Sequence, residues 1–268
     1  MASVIQNQSI EIAQPHSDAA EAVEAVKFPW LTLTSLSLGL LLLAGFYRWY
    51  QNTYSFTVGL DYFEPEFQTY WMSLFWIQLI VIFSLGAFIV PYLWFTREKV
   101  LDISPRQELS RYYIILSILS VGGLALYFAL NLFTEADAAW HQVTIRDTDF
   151  TPTHIVLFYA FIPLMAIGLI FSFVWIHTRM PDYVGRVSLP LAILVAGPLL
   201  IGPNLGYNEW GHTFFYAEEL FGAPIHWGFV TLGWAFLALS GFLYQCFARM
   251  ARLTDLVGEN YLEDPIDR

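Results

Sequence analysis

The sequence predicts an all-α polytopic membrane protein, a bundle of about six transmembrane helices with both termini on the cytoplasmic side. Three observations carry this expectation. Hydrophobic residues make up 57% and charged residues 13% of the 268 positions, with a mean hydropathy of +0.52, whereas soluble domains are roughly half apolar and about 25% charged. Six apolar runs are, nearly all, long enough to cross a hydrocarbon core that needs about 20 helical residues. The basic residues fall almost wholly on one side of such a bundle.

Residues 1–27 are expected to be an N-terminal tail. No Lys or Arg precedes Lys27, so the positive n-region of a cleavable signal is missing and the first span is expected to act as its own insertion signal. Ser17-Asp18-Ala19-Ala20-Glu21 could cap a short surface helix reaching Pro29 through reciprocal capping-box hydrogen bonds; a tail without structure suits the same residues equally well.

One transmembrane domain is expected over residues 28–250. Its spans are Leu31–Tyr47, Phe67–Phe95, Tyr112–Phe133, Ile155–Ile176, Val187–Leu205 and Trp227–Phe247. Trp49 and Tyr50 close the first, Tyr70 and Trp71 lie in the opening of the second and Trp94 at its end, and Trp175 ends the fourth, since amphipathic rings favour the headgroup layer. Thr151 and Pro152 form an N-cap and first helical residue for the fourth span, and Pro224 is expected to open the sixth, because proline lacks the N–H that a helix start leaves orphaned. Residues 251–268 are expected to be a short acidic tail. Cys246 is the lone cysteine, so neither a disulfide framework nor a thiolate metal site is available.

Orientation follows from charge. Lys27, Arg97, Lys99, Arg106, Arg111, Arg179, Arg186, Arg249, Arg252 and Arg268 share the face of the termini and even-numbered loops, which should be cytoplasmic because short loops rich in Lys and Arg are retained there. The opposite face has Arg48 and Arg146 only. Its loops, near 48–66, 134–153 and 206–225, are acidic. A net charge of −11 offers no basic stripe for nucleic acid, and there is no Gly-rich phosphate loop and no Cys-x-x-Cys-His for a c-type haem.

Two metal-ligand triplets lie on that outer face: Asp137, His141 and His154, as D-x-x-x-H-x12-H, and Asn208, His212 and His226, as N-x-x-x-H-x13-H. A spacing of four puts Asp137 and His141, or Asn208 and His212, on one helix face one turn apart, so an oxygen and an imidazole nitrogen can converge on one ion. The third member of each lies behind a helix-opening proline. A lone histidine near a span more often bonds between helices, for about 1 kcal/mol or less; two sets holding four of the six histidines favour metal. The amide of Asn208 is neutral, so the second site should hold a divalent ion less tightly or prefer a lower oxidation state. Copper, zinc, iron and nickel all suit such ligands, and three protein ligands leave a position open for water, oxygen or substrate.

Neighbouring charges have two readings. Arg146, Asp147 and Asp149 either orient ligand imidazoles or form a loop salt bridge, which is favoured for Arg146. Glu209, Glu218 and Glu219 either support the second triplet or meet a partner protein. Asp61, Glu64 and Glu66 are assigned to the outer surface or to an interface with a partner, and His16 and His177 to tail and interface.

The same residues carry a family resemblance. The stretches Gly59-Leu60-Asp61-Tyr62-Phe63-Glu64-Pro65-Glu66-Phe67, Phe133-Thr134-Glu135-Ala136-Asp137-Ala138-Ala139-Trp140-His141-Gln142, Ile145 to His154, and Gly202-Pro203-Asn204 onward through Asn208-Glu209-Trp210-Gly211-His212 to Ala223-Pro224-Ile225-His226-Trp227-Gly228 resemble the C subunit of the copper-dependent membrane monooxygenases, which oxidise ammonia, methane or other hydrocarbons. The likeness covers most of residues 46–235.

It implies a membrane subunit in a trimer of three-subunit protomers, in a bacterial inner or intracytoplasmic membrane with its metal sites towards the periplasm. By similarity, Asp137, His141 and His154 match one metal site, for copper or zinc. Asn208, His212 and His226 match a neighbouring copper site, assigned here as catalytic. The implied reaction inserts one oxygen atom of O2 into a C–H or N–H bond, with quinol as reductant. Methane-type members have glutamate at the positions of Gln78 and Leu157, and ammonia-type members have histidine at that of Gln78. Ala136 and Ala138 also depart from the pattern, where Gln and, in methane-type chains, Gly are expected; these departures favour a divergent hydrocarbon oxidiser.

Two rivals remain. A metal or proton-coupled transporter would need ionisable residues near the bilayer midplane, which the spans lack, although Pro203 could break the fifth. A purely structural membrane subunit would use bound metal only to stabilise the assembly.

Overall fold

The computed structural model describes residues 25–98, 102–140, 150–197, 199–200 and 218–258, with side chains described at all of these except Ala138 and 218–229. The described residues form helices and no strand. Helix α1 is Trp30–Tyr54. Helix α2 runs as Pro65–Phe67, a π-helical turn Gln68–Met72, and Ser73–Phe95. Helix α3 is Pro105–Phe128, a π turn Ala129–Phe133, and Thr134–Trp140. Helix α4 is Pro152–Val156, a π turn Leu157–Phe161, and Ile162–Arg179. The short α5 is Pro181–Val184, α6 covers 189–197 and 199–200, and α7 is Glu218–Val257.

Prolines set these helix starts. Pro65, Pro105, Pro152 and Pro181 each occupy the first turn, where the missing N–H costs nothing. Ser104 forms a capping box with Gln107 ahead of α3, and Thr151 caps α4 as the sequence predicts.

Five of the six predicted spans, those in α1, α2, α3, α4 and α7, are helices long and apolar enough to cross a membrane. The fifth predicted span, 187–205, is helical over 189–197 and 199–200, and its last residues lie outside the described ones, as does the helix expected between Ser17 and Pro29 up to residue 24. Two boundaries differ from expectation. Pro224 does not open the last helix, which runs from Glu218 through it; an apolar membrane helix tolerates an internal proline because its environment re-satisfies the freed carbonyl. That helix also extends to Val257 instead of stopping near 250, held by Leu253, which is buried beside Val26 and Leu109.

Helix α3 packs against α1, α4 and α7, and α2 lies along α4. Two apolar clusters fill the site end. One joins Leu40, Ala44 and Tyr47 to Phe133 and Phe161; the other joins Phe67, Trp71 and Phe75 to Ile155. Helices α6 and α7 approach so closely that a Cβ on Gly197 would stand 2.9 Å from that of Ala235, the small-residue contact common between helices in lipid. Much of the exterior is apolar: Trp76, Ile77, Ile80, Phe83 and Phe88 of α2 are exposed. That suits lipid, where hydrophobic side chains need no partner.

The end opposite the site is ionic. Arg111 is bidentate to Glu98 at 2.8 and 3.0 Å, and Arg249 is bidentate to buried Glu108 at 2.9 Å through both nitrogens. Arg179 bonds Thr96 Oγ1 at 2.8 Å and the Leu93 carbonyl at 3.2 Å. Three of the basic residues that the sequence assigns to one face, Arg111, Arg179 and Arg249, thus staple α2, α3, α4 and α7 there.

Candidate metal centre

The other end of α3 and the start of α4 build the site. Thr151 accepts a hydrogen bond from the backbone N–H of His154 at 3.2 Å, which fixes the first turn of α4 and aims the His154 side chain. His154 is 2% exposed. Its Nε2 stands 3.3 Å from Asp137 Oδ1, and the Thr153 hydroxyl donates to the same Oδ1. One carboxylate oxygen therefore faces both an imidazole nitrogen and a hydroxyl across the α3–α4 junction.

The 3.3 Å separation has a chemical meaning. Two donors each about 2.0–2.1 Å from one tetrahedral ion stand roughly 3.3 Å apart, so the pair suits a shared cation as well as a direct hydrogen bond. Carboxylate oxygen with imidazole nitrogen is a donor set for copper, zinc or iron.

Buried hydrogen bonds hold the pair in register. Trp140, three residues beyond Asp137, donates its Nε1–H to the Ser55 carbonyl at 2.6 Å, tying the end of α3 to the end of α1. Tyr47 donates its hydroxyl to Gln78 Oε1 at 2.9 Å, and Gln78 Nε2 donates to the Ile155 carbonyl at 2.7 Å, so α1 and α2 together hold the peptide next to His154. The His154 ring packs on Phe158, with centroids 4.8 Å apart.

Two of the three π turns among the described residues flank the pair. Ala129–Phe133 ends one turn before Asp137, and Leu157–Phe161 begins one turn after His154. A π turn inserts a residue into the helical repeat and so re-aims the side chains beyond it; such turns gather at functional sites.

Of the six predicted ligands, the structure brings Asp137 and His154 together. His141 directly follows the last described residue of α3 and lies outside the described residues, with Asn208 and His212. The backbone of His226 lies in α7, eight residues from its first residue, and its side chain is not among those described. Among the described residues no group of three His, Cys, Asp or Glu could hold a metal. Arg146, Asp147, Asp149 and Glu209 are likewise outside.

Asp61 and Glu64 do more than cover a surface. Asp61 Oδ1 accepts from the Phe63 N–H at 3.0 Å and Glu64 Oε2 from the Leu60 N–H at 3.1 Å, so both shape the loop into α2. Gly59 has φ +65°, and a Cβ there would meet Phe67 Cα at 2.7 Å. His177 is structural: it contacts the Phe173 carbonyl at 2.7 Å through Nδ1 and accepts from the Ser188 N–H at 3.2 Å through Nε2.

Sequence reasoning missed Thr153, Tyr47, Trp140 and Gln51. Gln51 is 1% exposed, and neither atom of its amide has a hydrogen-bond partner among the described residues. An unmade buried hydrogen bond costs roughly 1–3 kcal/mol. The signal that could have found Tyr47 and Gln51 is their spacing with Ser55, four apart along one helix face; no local signal marks Thr153 or Trp140.

Fold and site define a class: a multi-pass helical membrane protein with a carboxylate paired to a buried imidazole at one end of its bundle and an ionic staple at the other. Over residues 14–257 the chain matches the family of the C subunit of ammonia monooxygenase/methane monooxygenase, and it belongs to that family. It is therefore part of a membrane monooxygenase complex. None of the curated proteins compared with it matches.

Proposed function

We propose that the chain supplies the membrane metal sites of a copper-dependent monooxygenase that hydroxylates a small substrate, whether methane, a short alkane or ammonia, using O2 and electrons from quinol. The observation that carries this reading is the meeting of Asp137 and His154 at 3.3 Å from two separate helices. Asp137, His141 and His154 hold one ion, copper or zinc. Asn208, His212 and His226 hold copper at the catalytic site. Bound copper supplies the redox chemistry by which one oxygen atom of O2 enters a C–H or N–H bond and the other leaves as water.

The chain's own residues position and exclude. The Thr153 hydroxyl fixes the Asp137 carboxylate, and the Thr151 cap fixes the backbone of His154, the kind of support that orients ligands around a metal. Phe133, Phe161, Phe75 and Ile155 are buried around the segments that carry the pair, which keeps bulk water from the site and favours a small, poorly polar substrate arriving through lipid.

The chain works with two other subunits in a trimer of heterotrimers, in a bacterial inner or intracytoplasmic membrane with its sites towards the periplasm. Support for that orientation is the gathering of Arg97, Arg111, Arg179 and Arg249 at the end away from Asp137, since Lys and Arg are retained on the cytoplasmic side.

The test is oxygen-dependent product analysis with methane, ammonia, ethane and butane on membranes holding the whole complex, with copper supplied and withheld. His212→Ala is expected to leave assembly intact and abolish turnover. A lower yield of complex with unchanged activity per complex would instead give this chain a structural role only.

A further inference from the structure

Gln51 has an unused amide between two residues whose polar groups are committed, Tyr47 and Ser55. It stands one turn from Tyr47 and one turn from Ser55 on the buried stripe of α1. The Tyr47 hydroxyl is given to Gln78, and the Gln78 amide to the carbonyl of Ile155, the residue after His154. The Ser55 carbonyl takes the Trp140 N–H, three residues beyond Asp137. The two bonds that flank Gln51 therefore lead to the segments carrying His154 and Asp137, and along α1 Gln51 sits between the residues that make them.

At 1% exposure within this single chain, Gln51 is out of reach of lipid headgroups and partner proteins. Among the described residues nothing bonds its amide, and a small polar group held inside the bundle would satisfy it. An amide is both donor and acceptor without charge, which matches a water molecule bound to a cation: the water gives a hydrogen to Oε1 and can accept one from Nε2.

We propose that Gln51 is a positioning residue of the Asp137–His154 centre, its amide holding the water that completes the coordination of the bound cation. This rests on the metal reading above. It assigns to α1 a part in a site that the sequence locates only on α3 and α4, and it makes the polarity of Gln51 a functional need, not a structural one.

The experiment uses the intact complex, stripped of metal and reloaded with Cu(II) or Zn(II) alone, for the unaltered chain and the Gln51→Leu, Gln51→Glu and Asp137→Ala variants. Affinity is read by chelator competition, and the Cu(II) form by electron–nuclear double resonance of exchangeable protons. Gln51→Leu is expected to keep the ion but weaken it about 10-fold, within the range seen for residues that support metal ligands, and to alter the exchangeable-proton signal. In the metal-stripped complex the same variant should melt at a higher temperature, since it removes a buried amide with nothing to bond. Should Gln51→Leu fail to assemble, Gln51→Glu decides: its carboxylate still accepts from the water and adds negative charge, so affinity should rise several-fold. Affinity and proton signal unchanged in whichever Gln51 variant assembles, with metal lost in Asp137→Ala, would overturn the proposal alone. Metal retained in Asp137→Ala would overturn the metal reading and the proposal with it.

Discussion

Gln78 donates its amide N–H to the carbonyl oxygen of Ile155 at 2.7 Å, so a side chain on α2 grips the peptide adjoining His154. The same amide accepts from Tyr47 at 2.9 Å, and the residue is 5% exposed. Both halves of the amide are in use, which accounts for a buried glutamine here. Gln78→Leu leaves the Tyr47 hydroxyl and the Ile155 carbonyl buried and unmade, a loss of about 1–3 kcal/mol. A lowered thermal midpoint of the purified complex checks this, and an unchanged midpoint would mean that the two bonds contribute nothing.

Asp137→Asn keeps the size of the side chain but removes the charge that faces Thr153 and His154. Metal at this site, counted per chain by elemental analysis, is expected to fall by at least half, with the helices intact by circular dichroism. Full metal content in this variant would remove Asp137 from the ligand set.

Gly59→Ala is expected to be severe. Left-handed backbone costs a non-glycine residue roughly 1–2 kcal/mol, and the added Cβ would press on the Phe67 backbone at 2.7 Å. Yield of folded complex from membranes should drop sharply. Yield equal to that of the unaltered chain would show that the loop can shift without consequence.

Arg249→Met strands Glu108, whose side chain is 5% exposed. Breaking a buried pair on one side costs about 3–5 kcal/mol, whereas replacing both partners with apolar or neutral groups is often nearly neutral. The single variant should assemble poorly, and Glu108→Gln with Arg249→Met should recover most of the yield. Failure of the double variant to recover would give Arg249 a further task, such as its 3.5 Å contact with Asp182.

Much of the architecture was legible because transfer of a helix into lipid depends on composition summed along a local stretch, and the runs around Leu31, Phe67, Tyr112, Ile155 and Trp227 announce themselves that way. The start of α4 was legible for the same local reason: Thr151 and Pro152 cap and open it whatever lies beyond. Pro224 shows the limit of local signals, since a residue that opens helices in water is carried inside one here.

The sequence by itself determined that the chain crosses a membrane several times and which residue types could bind an ion, because hydrophobic transfer and ligand chemistry belong to the residues. Only the tertiary structure decided that Asp137 meets His154, that Gln78 and Trp140 brace that meeting, and that Gln51 is buried on α1 with its amide unused. The physical reason is that a buried hydrogen bond is a relation between helices. Its partner is set by how α1, α2, α3 and α4 pack and by where their π turns rotate one face relative to the next, and no local stretch of sequence contains that information.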